Sequence, residues 1–129
     1  MNKKIEGVVA IIEKDGKYLL GLESKDSPIK GKWRLLGGKL EKGETPEQAL
    51  HRELMEEASI EIKVVKYLFD IKAEHSDILI YVFLAKYLKG NLKPRIEEHE
   101  SIKWFSLEEV KSLNLAKTTK EIIERYLGR

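Results

Sequence analysis

β-branched and aromatic residues fill Ile5 to Glu13 and Lys17 to Leu22, and Lys14-Asp15-Gly16 between them has turn chemistry, so the chain is expected to open with a β-hairpin. Ser24 to Lys32 breaks the pattern with Pro28 and Gly31 among polar residues and reads as a loop. Trp33 to Leu36 is a short extended piece that Gly37-Gly38 is expected to end. The period then changes. Thr45 supplies an N-cap, Pro46 the first helical position and Gln48 closes a capping box, which predicts a helix to about Ala58. Ile60 to Lys72 and Ile78 to Tyr87 are strand-like on either side of polar Ala73 to Asp77, and Lys89-Gly90-Asn91 makes the next turn. Ser101 to Phe105 reads as a short strand and Ser106 as the cap of a helix with an acidic first turn. Ile122, Ile123, Tyr126 and Leu127 share one face of a helix over Thr119 to Leu127. Strands before and after a central helix, with helix at the end, predict a mixed sheet covered on both faces, an α/β/α sandwich.

Composition narrows the function more than it names it. The 129 residues fit a single domain over 1–129. With no cysteine, disulfides, thiolate metal sites and cysteine nucleophiles are excluded. No apolar stretch approaches the ~20 residues that cross a bilayer, and the apolar run near the N-terminus is interrupted by Glu13 and ends at Gly16, so no membrane association and a cytoplasmic location are expected. Basic and acidic residues number 24 and 22 and are spread along the chain, a balance that argues against a nucleic-acid polymer as partner.

The chemistry concentrates in one segment. Glu53, Glu56 and Glu57 stand at i, i+3 and i+4, so a helix projects all three carboxylates from one face. Like charges at that spacing cost roughly 0.2–0.5 kcal/mol per pair when exposed, and more when desolvated, unless a cation lies among them. The spacing therefore predicts a divalent metal. Taken without their surroundings the three glutamates would equally suit a solvated face in a Lys/Glu-rich chain. The surroundings are specific: Gly38, Glu44, Arg52-Glu53-Leu54, Glu56-Glu57 and Ile60 stand at spacings that resemble the Nudix box, and GGKLEKGETPEQA looks especially like the MutT branch of that family. Trp33 ahead of the glycine pair and the late Trp104-Phe105-Ser106-Leu107-Glu108-Glu109 segment also look like Nudix features.

The resemblance implies a metal-dependent pyrophosphohydrolase using Mg2+, with Mn2+ able to substitute. Such hard cations take oxygen ligands and keep several waters, which suits carboxylates facing a diphosphate. By resemblance Glu53 and Glu57 are direct ligands, Glu56 is a ligand or polarises the attacking water, and a backbone carbonyl of Gly37 or Gly38 completes the set. Arg52 can pair with Glu56 one turn on and with Glu44 from the loop, so both are assigned to orienting the ligands. Glu98, in the acidic cluster Glu97-Glu98-His99-Glu100 before Trp104, is the candidate for an added ligand or catalytic base. His99 is a weaker candidate for the same role, since a lone loop histidine is usually solvent-exposed or a surface hydrogen-bonder, and the same reading applies to His51 and His75. Trp33 and Arg34 are the candidate substrate-binding pair. Trp33, Phe69, Tyr81 and Phe83 offer ring faces to a base, although strand spacing suits them equally to the core.

Two positions depart from the family pattern. Ser59 stands where the box has glycine, which implies about 1 kcal/mol of backbone strain or a differently built helix end. Leu36 stands where many relatives have proline. The expected substrate is a nucleoside diphosphate linked to a further group, foremost a nucleoside triphosphate cut to monophosphate and pyrophosphate. ADP-ribose, nucleotide sugars and dinucleoside polyphosphates are the alternatives, as is a non-catalytic nucleotide-sensing module. The chain lacks the SQPWPFP-like run that marks NADH hydrolysis. A monomer or a homodimer is expected.

Overall fold

The computed structural model describes residues 5–73, 77–93 and 99–128, with Glu100 described in its backbone only. The strands are β1 (Ile5–Lys14), β2 (Lys17–Glu23), β3 (Trp33–Arg34), β4 (Leu36–Lys39), β5 (Glu61–Lys72), β6 (Ile78–Lys89) and β7 (His99–Ser106). The helices are α1 (Pro46–Ala58), α2 (Leu107–Ser112) and α3 (Lys117–Leu127). Asp15 and Gly16 both have positive φ, 50° and 75°, the tight turn that the β1–β2 hairpin needs. The sheet runs β3-β2-β1-β6-β5, with β4 paired to β1 and β7 to β2. β1 and β6 are parallel at its centre and the other pairs antiparallel, so the sheet is mixed as expected.

Alternation along β1 sorts the core into two layers. Val8, Ala10 and Ile12 meet Ala49, Leu50, Leu54 and Ala58 of α1, together with Leu19, Leu36, Phe83 and Ala85. Ile11 faces the other way and meets Val110 of α2 and Ile122 of α3, with Leu20, Leu35, Phe69, Val82 and Phe105. Helices therefore cover both faces, the α/β/α architecture. Phe69 and Phe83 are core residues, and the hydroxyl of Tyr81 donates to Glu6.

Three boundaries differ from the pattern-based expectation. The glycine pair does not end a strand but lies inside β4, opposite Val8 and Val9. A Cβ on Gly37 would stand 1.9 Å from the Val8 carbonyl oxygen, so glycine here permits close backbone approach. α3 starts two residues before Thr119, with no side-chain cap at Ala116. A tertiary contact sets that start: Trp33 N–H donates to the Asn114 carbonyl at 2.9 Å and Ala116 N–H to the Trp33 carbonyl at 2.8 Å. Thr119 instead accepts from the Leu35 amide at 3.1 Å. Finally, β7 begins at His99 rather than Ser101.

α1 follows its capping signals. Thr45 Oγ1 accepts from Gln48 N–H at 3.2 Å and Gln48 Oε1 accepts from Thr45 N–H at 2.9 Å. At the other end Ser59 adopts the left-handed conformation itself, φ 58° and ψ 41°, and its N–H reaches the carbonyls of Leu54 and Met55. The helix thus ends in the geometry that usually selects glycine, with serine bearing the strain. Ser59→Gly should raise stability by roughly 1 kcal/mol, read as a higher urea midpoint at unchanged slope. An unchanged midpoint would mean that this backbone carries no recoverable strain.

Candidate active site

Capping at Thr45 fixes the phase of α1, and that phase turns Arg52, Glu53 and Glu56 toward the loop that leads from β4 into the helix. The Arg52 guanidinium is the hub. Nε donates to Glu44 Oε2 at 2.8 Å and Nη2 to Glu44 Oε1 at 2.9 Å, a bidentate fork. Nη1 donates to Glu53 Oε1 at 2.7 Å and to Glu56 Oε2 at 3.1 Å, and Nη2 also reaches the Lys39 carbonyl at 3.0 Å. All five donors of the fork are thereby used. Glu44 is held from its own loop as well, because the Glu41 amide donates to its Oε1 at 2.7 Å. Hydrogen bonds from Arg52, then from the Glu41 backbone, pull the Glu44 pKa from 4.5 down to about 2, and Glu44 in turn pushes the Arg52 value up.

This geometry changes what the glutamate spacing implies. The cation that relieves Glu53 and Glu56 within the protein is Arg52, so their spacing does not by itself require a metal. Among the described residues no group of three or more acidic or histidine side chains stands together so as to hold an ion. The fit to a hard cation rests on other features. The donors that α1 presents are all carboxylate oxygens, and Gly38 keeps room for one of them: a Cβ there would lie 2.2 Å from Glu53 Oε2.

Glu57, the third acid, is fully buried. Its Oε1 lies 2.8 Å from His99 Nε2 and 3.7 Å from Arg34 Nη2, and Arg34 Nε pairs with Glu23. His99 is also fully buried, contrary to its reading as a surface histidine. Burial first, and the Arg34 charge second, push its pKa from 6.5 down to about 4, against an opposing contribution from the Leu22 backbone, so it is neutral at pH 7. Sequence alternation conceals this position. Leu22 pairs with Ser101 but Glu23 with His99, so Glu100 is the extra residue of a bulge. That bulge brings His99 onto the α1 face of the sheet, where uninterrupted alternation from Ile102 would have put residue 100.

The two candidate substrate residues lie in different settings. Trp33 meets Phe105 edge-on, ring centroids 4.8 Å apart, and packs into the α2–α3 layer. Arg34 borders a groove of about 420 Å³ lined also by Val9, Leu35, Ile80, Thr119 and Ile122, while its guanidinium reaches Glu23 and Glu57. It thus joins the groove to the buried acid. Glu98 and His75 lie outside the described residues, and His51 is exposed on α1.

The chain matches the NUDIX domain model over residues 3–126, and it belongs to the Nudix family. It is therefore a Nudix hydrolase, an enzyme of phosphoanhydride bonds in nucleotide-linked compounds, from a family that generally uses divalent metal ions. It is 36% identical over 126 residues to the CTP pyrophosphohydrolase of Escherichia coli (strain K12), covering 98% of this chain and 93% of that one. The NAD-capped RNA hydrolase NudC of Pseudomonas syringae pv. tomato is 31% identical over 101 residues, which cover 78% of this chain but 36% of that protein. Among solved structures, a Nudix hydrolase from Nitrosomonas europaea superposes with a TM-score of 0.88 at 26% identity, over 99% of this chain and 72% of the other. No helix among the described residues is long and apolar enough to cross a membrane.

A depressed carboxylate pKa contributes stability above its unfolded value, and that contribution disappears as pH falls through the folded value. For Glu44 the window runs from about 4.5 down to about 2. Denaturant titrations across that range should show the wild type losing stability more steeply than Glu44→Gln. Identical slopes would show that the Arg52 fork does not survive in solution.

Proposed function

We propose that this chain hydrolyses a nucleoside triphosphate to the monophosphate and pyrophosphate, in the MutT-like manner of nucleotide housecleaning. The observation that carries the reading is the Arg52 hub, which holds Glu53 and Glu56 in fixed orientation on α1 through Glu44. Glu53, Glu56 and Glu57 would hold Mg2+, or Mn2+ in its place, with one backbone carbonyl of the glycine pair. The Gly38 carbonyl oxygen lies on the β1 side, 3.3 Å from the position of a Cβ on Gly7, which favours Gly37 for that role. When bound, the metal supplies charge neutralisation of the diphosphate and a more acidic water.

The chain's own residues do the rest. Arg52 keeps Glu53 and Glu56 from turning away, and Glu44 keeps Arg52 in place. Arg34, between the groove and Glu57, is positioned to donate to a phosphate oxygen while the groove takes the nucleoside. Glu56 or Glu98 receives the proton of the attacking water. Its oxygen bonds to phosphorus as the bridging P–O bond breaks, with no covalent enzyme intermediate. A small nucleotide is preferred to capped RNA, because similarity extends along 93% of the CTP pyrophosphohydrolase but 36% of a NudC. The enzyme is read as a cytoplasmic single domain, acting as monomer or homodimer.

Incubation with Mg2+ and a panel of canonical and oxidised nucleoside triphosphates, NADH, ADP-ribose, nucleotide sugars and dinucleoside polyphosphates should give one preferred triphosphate. Chromatography should identify monophosphate and pyrophosphate as its products. Chelation should abolish the signal, and Glu53→Gln or Glu57→Gln should lower turnover by orders of magnitude with the circular dichroism spectrum unchanged. Full activity in both variants would overturn the site assignment, and a preference for NADH or ADP-ribose would overturn the substrate class.

A further inference from the structure

We infer that His99 is a positioning residue, holding the Glu57 carboxylate in the orientation that metal binding uses. The inference rests on the reading of Glu57 as a metal ligand and adds a role for a histidine from another strand. Two independent features of the fold converge on this ring. Its Nε2 stands 2.8 Å from Glu57 Oε1, and both side chains are fully buried, so water does not compete for the contact. Room for the ring is made by Gly21 of β2: a Cβ there would lie 2.6 Å from His99 Nδ1, 2.8 Å from its Cε1 and 3.0 Å from Leu36 Cδ2. Gly21 lies within regular strand pairing, between Arg34 on one side and Ile102 on the other, and is not at a turn. The missing side chain therefore serves the imidazole.

The chemistry suits the position. An ionised carboxylate only accepts, so the ring serves Glu57 through a proton on Nε2. A single ring N–H at that distance fixes the direction of the carboxylate, whereas a lysine or arginine in full contact would compete with a metal ion for it. Arg34 Nη2 stands 3.4 Å from His99 Nε2 and 3.7 Å from the same Glu57 oxygen, and its Nε pairs with Glu23, so one guanidinium is shared among three groups. The bulge at Glu100 is the backbone device that puts His99 here, so the strand irregularity and the glycine serve one contact.

Mn2+ alone, titrated into the full chain and followed by electron paramagnetic resonance, tests this without turnover. Loss of such an outer partner typically weakens metal affinity by about 10–100-fold, so His99→Leu should do so, while His99→Gln, which retains a donor, should recover most of it. Gly21→Ala should weaken binding in the same direction by displacing the ring. In assays, His99→Leu should raise the Mg2+ concentration needed for half activity more than it lowers kcat at saturating Mg2+. Thermal unfolding of each variant identifies a protein that fails to fold, in which case His99→Gln and Gly21→Ala decide. Should Glu57→Gln abolish Mn2+ binding while folded His99→Leu and Gly21→Ala bind as wild type, the positioning role is overturned and the ligand assignment stands. Should Glu57→Gln itself bind Mn2+ normally, the ligand assignment fails and takes this inference with it.

Discussion

A guanidinium with every donor engaged is a rigid object, and Arg52 is such an object at the point where a loop and a helix must be held together. The loop from Glu41 to Thr45 has no apolar side chain to anchor it, while α1 is anchored through Leu50, Leu54 and Ala58. Arg52 transfers that anchorage outward: its fork fixes Glu44, its upper edge fixes Lys39, and its remaining donors fix the two acids. A lysine would supply the charge but not the planar fork, and could not hold four groups in set directions. The arrangement also explains why acids can crowd this helix without unfolding it. Their repulsion is offset by one side chain inside the cluster, itself held in place by the packing below it.

Beneath that hub, close backbone approach does what side chains cannot. β4 lies against β1 at Gly37, where a Cβ would meet the Val8 carbonyl, and Gly38 leaves the space that the Glu53 carboxylate fills. Sheet and acidic face are thus brought within one carboxylate's width of each other. The same device recurs at Gly21, where the missing side chain admits an imidazole. At Gly38 and Gly21 the glycine is selected by what stands beside it, and at Gly37, where φ is 157°, the backbone conformation adds to the same demand.

How much of this could be read beforehand depends on how local each determinant is. The Thr45-Pro46-Gln48 cap, the Asp15-Gly16 turn and the alternation in β1 act within a few residues, and the elements they predict are those observed. The Arg52 partners Glu44 and Glu56 were legible for the same reason, one being a helical neighbour and the other a short loop away. The start of α3 was not, because Trp33 sets it from across the sheet; nor was the role of Gly37-Gly38, whose contacts are with β1. His99 is the clearest instance. Its burial follows from a bulge whose register is decided by β2, and a strand read alone gives no sign that alternation slips at Glu100.

Charge balance then separates the two halves of the site. Glu44, Glu53 and Glu56 surround one guanidinium, so the exposed half keeps an excess of negative charge even with every Arg52 donor satisfied. In the buried half, Glu57 meets the His99 ring and shares the Arg34 guanidinium with Glu23. Among these contacts acids outnumber arginines in both halves, three around Arg52 and two around Arg34. A fold selected only for stability would gain by supplying a second arginine or removing an acid, since uncompensated charge at partly desolvated positions is costly. Hydrogen bonds here fix the direction of the carboxylates and leave their charge in place, which is the condition a metal-dependent hydrolase needs and a purely structural ion-pair network would avoid.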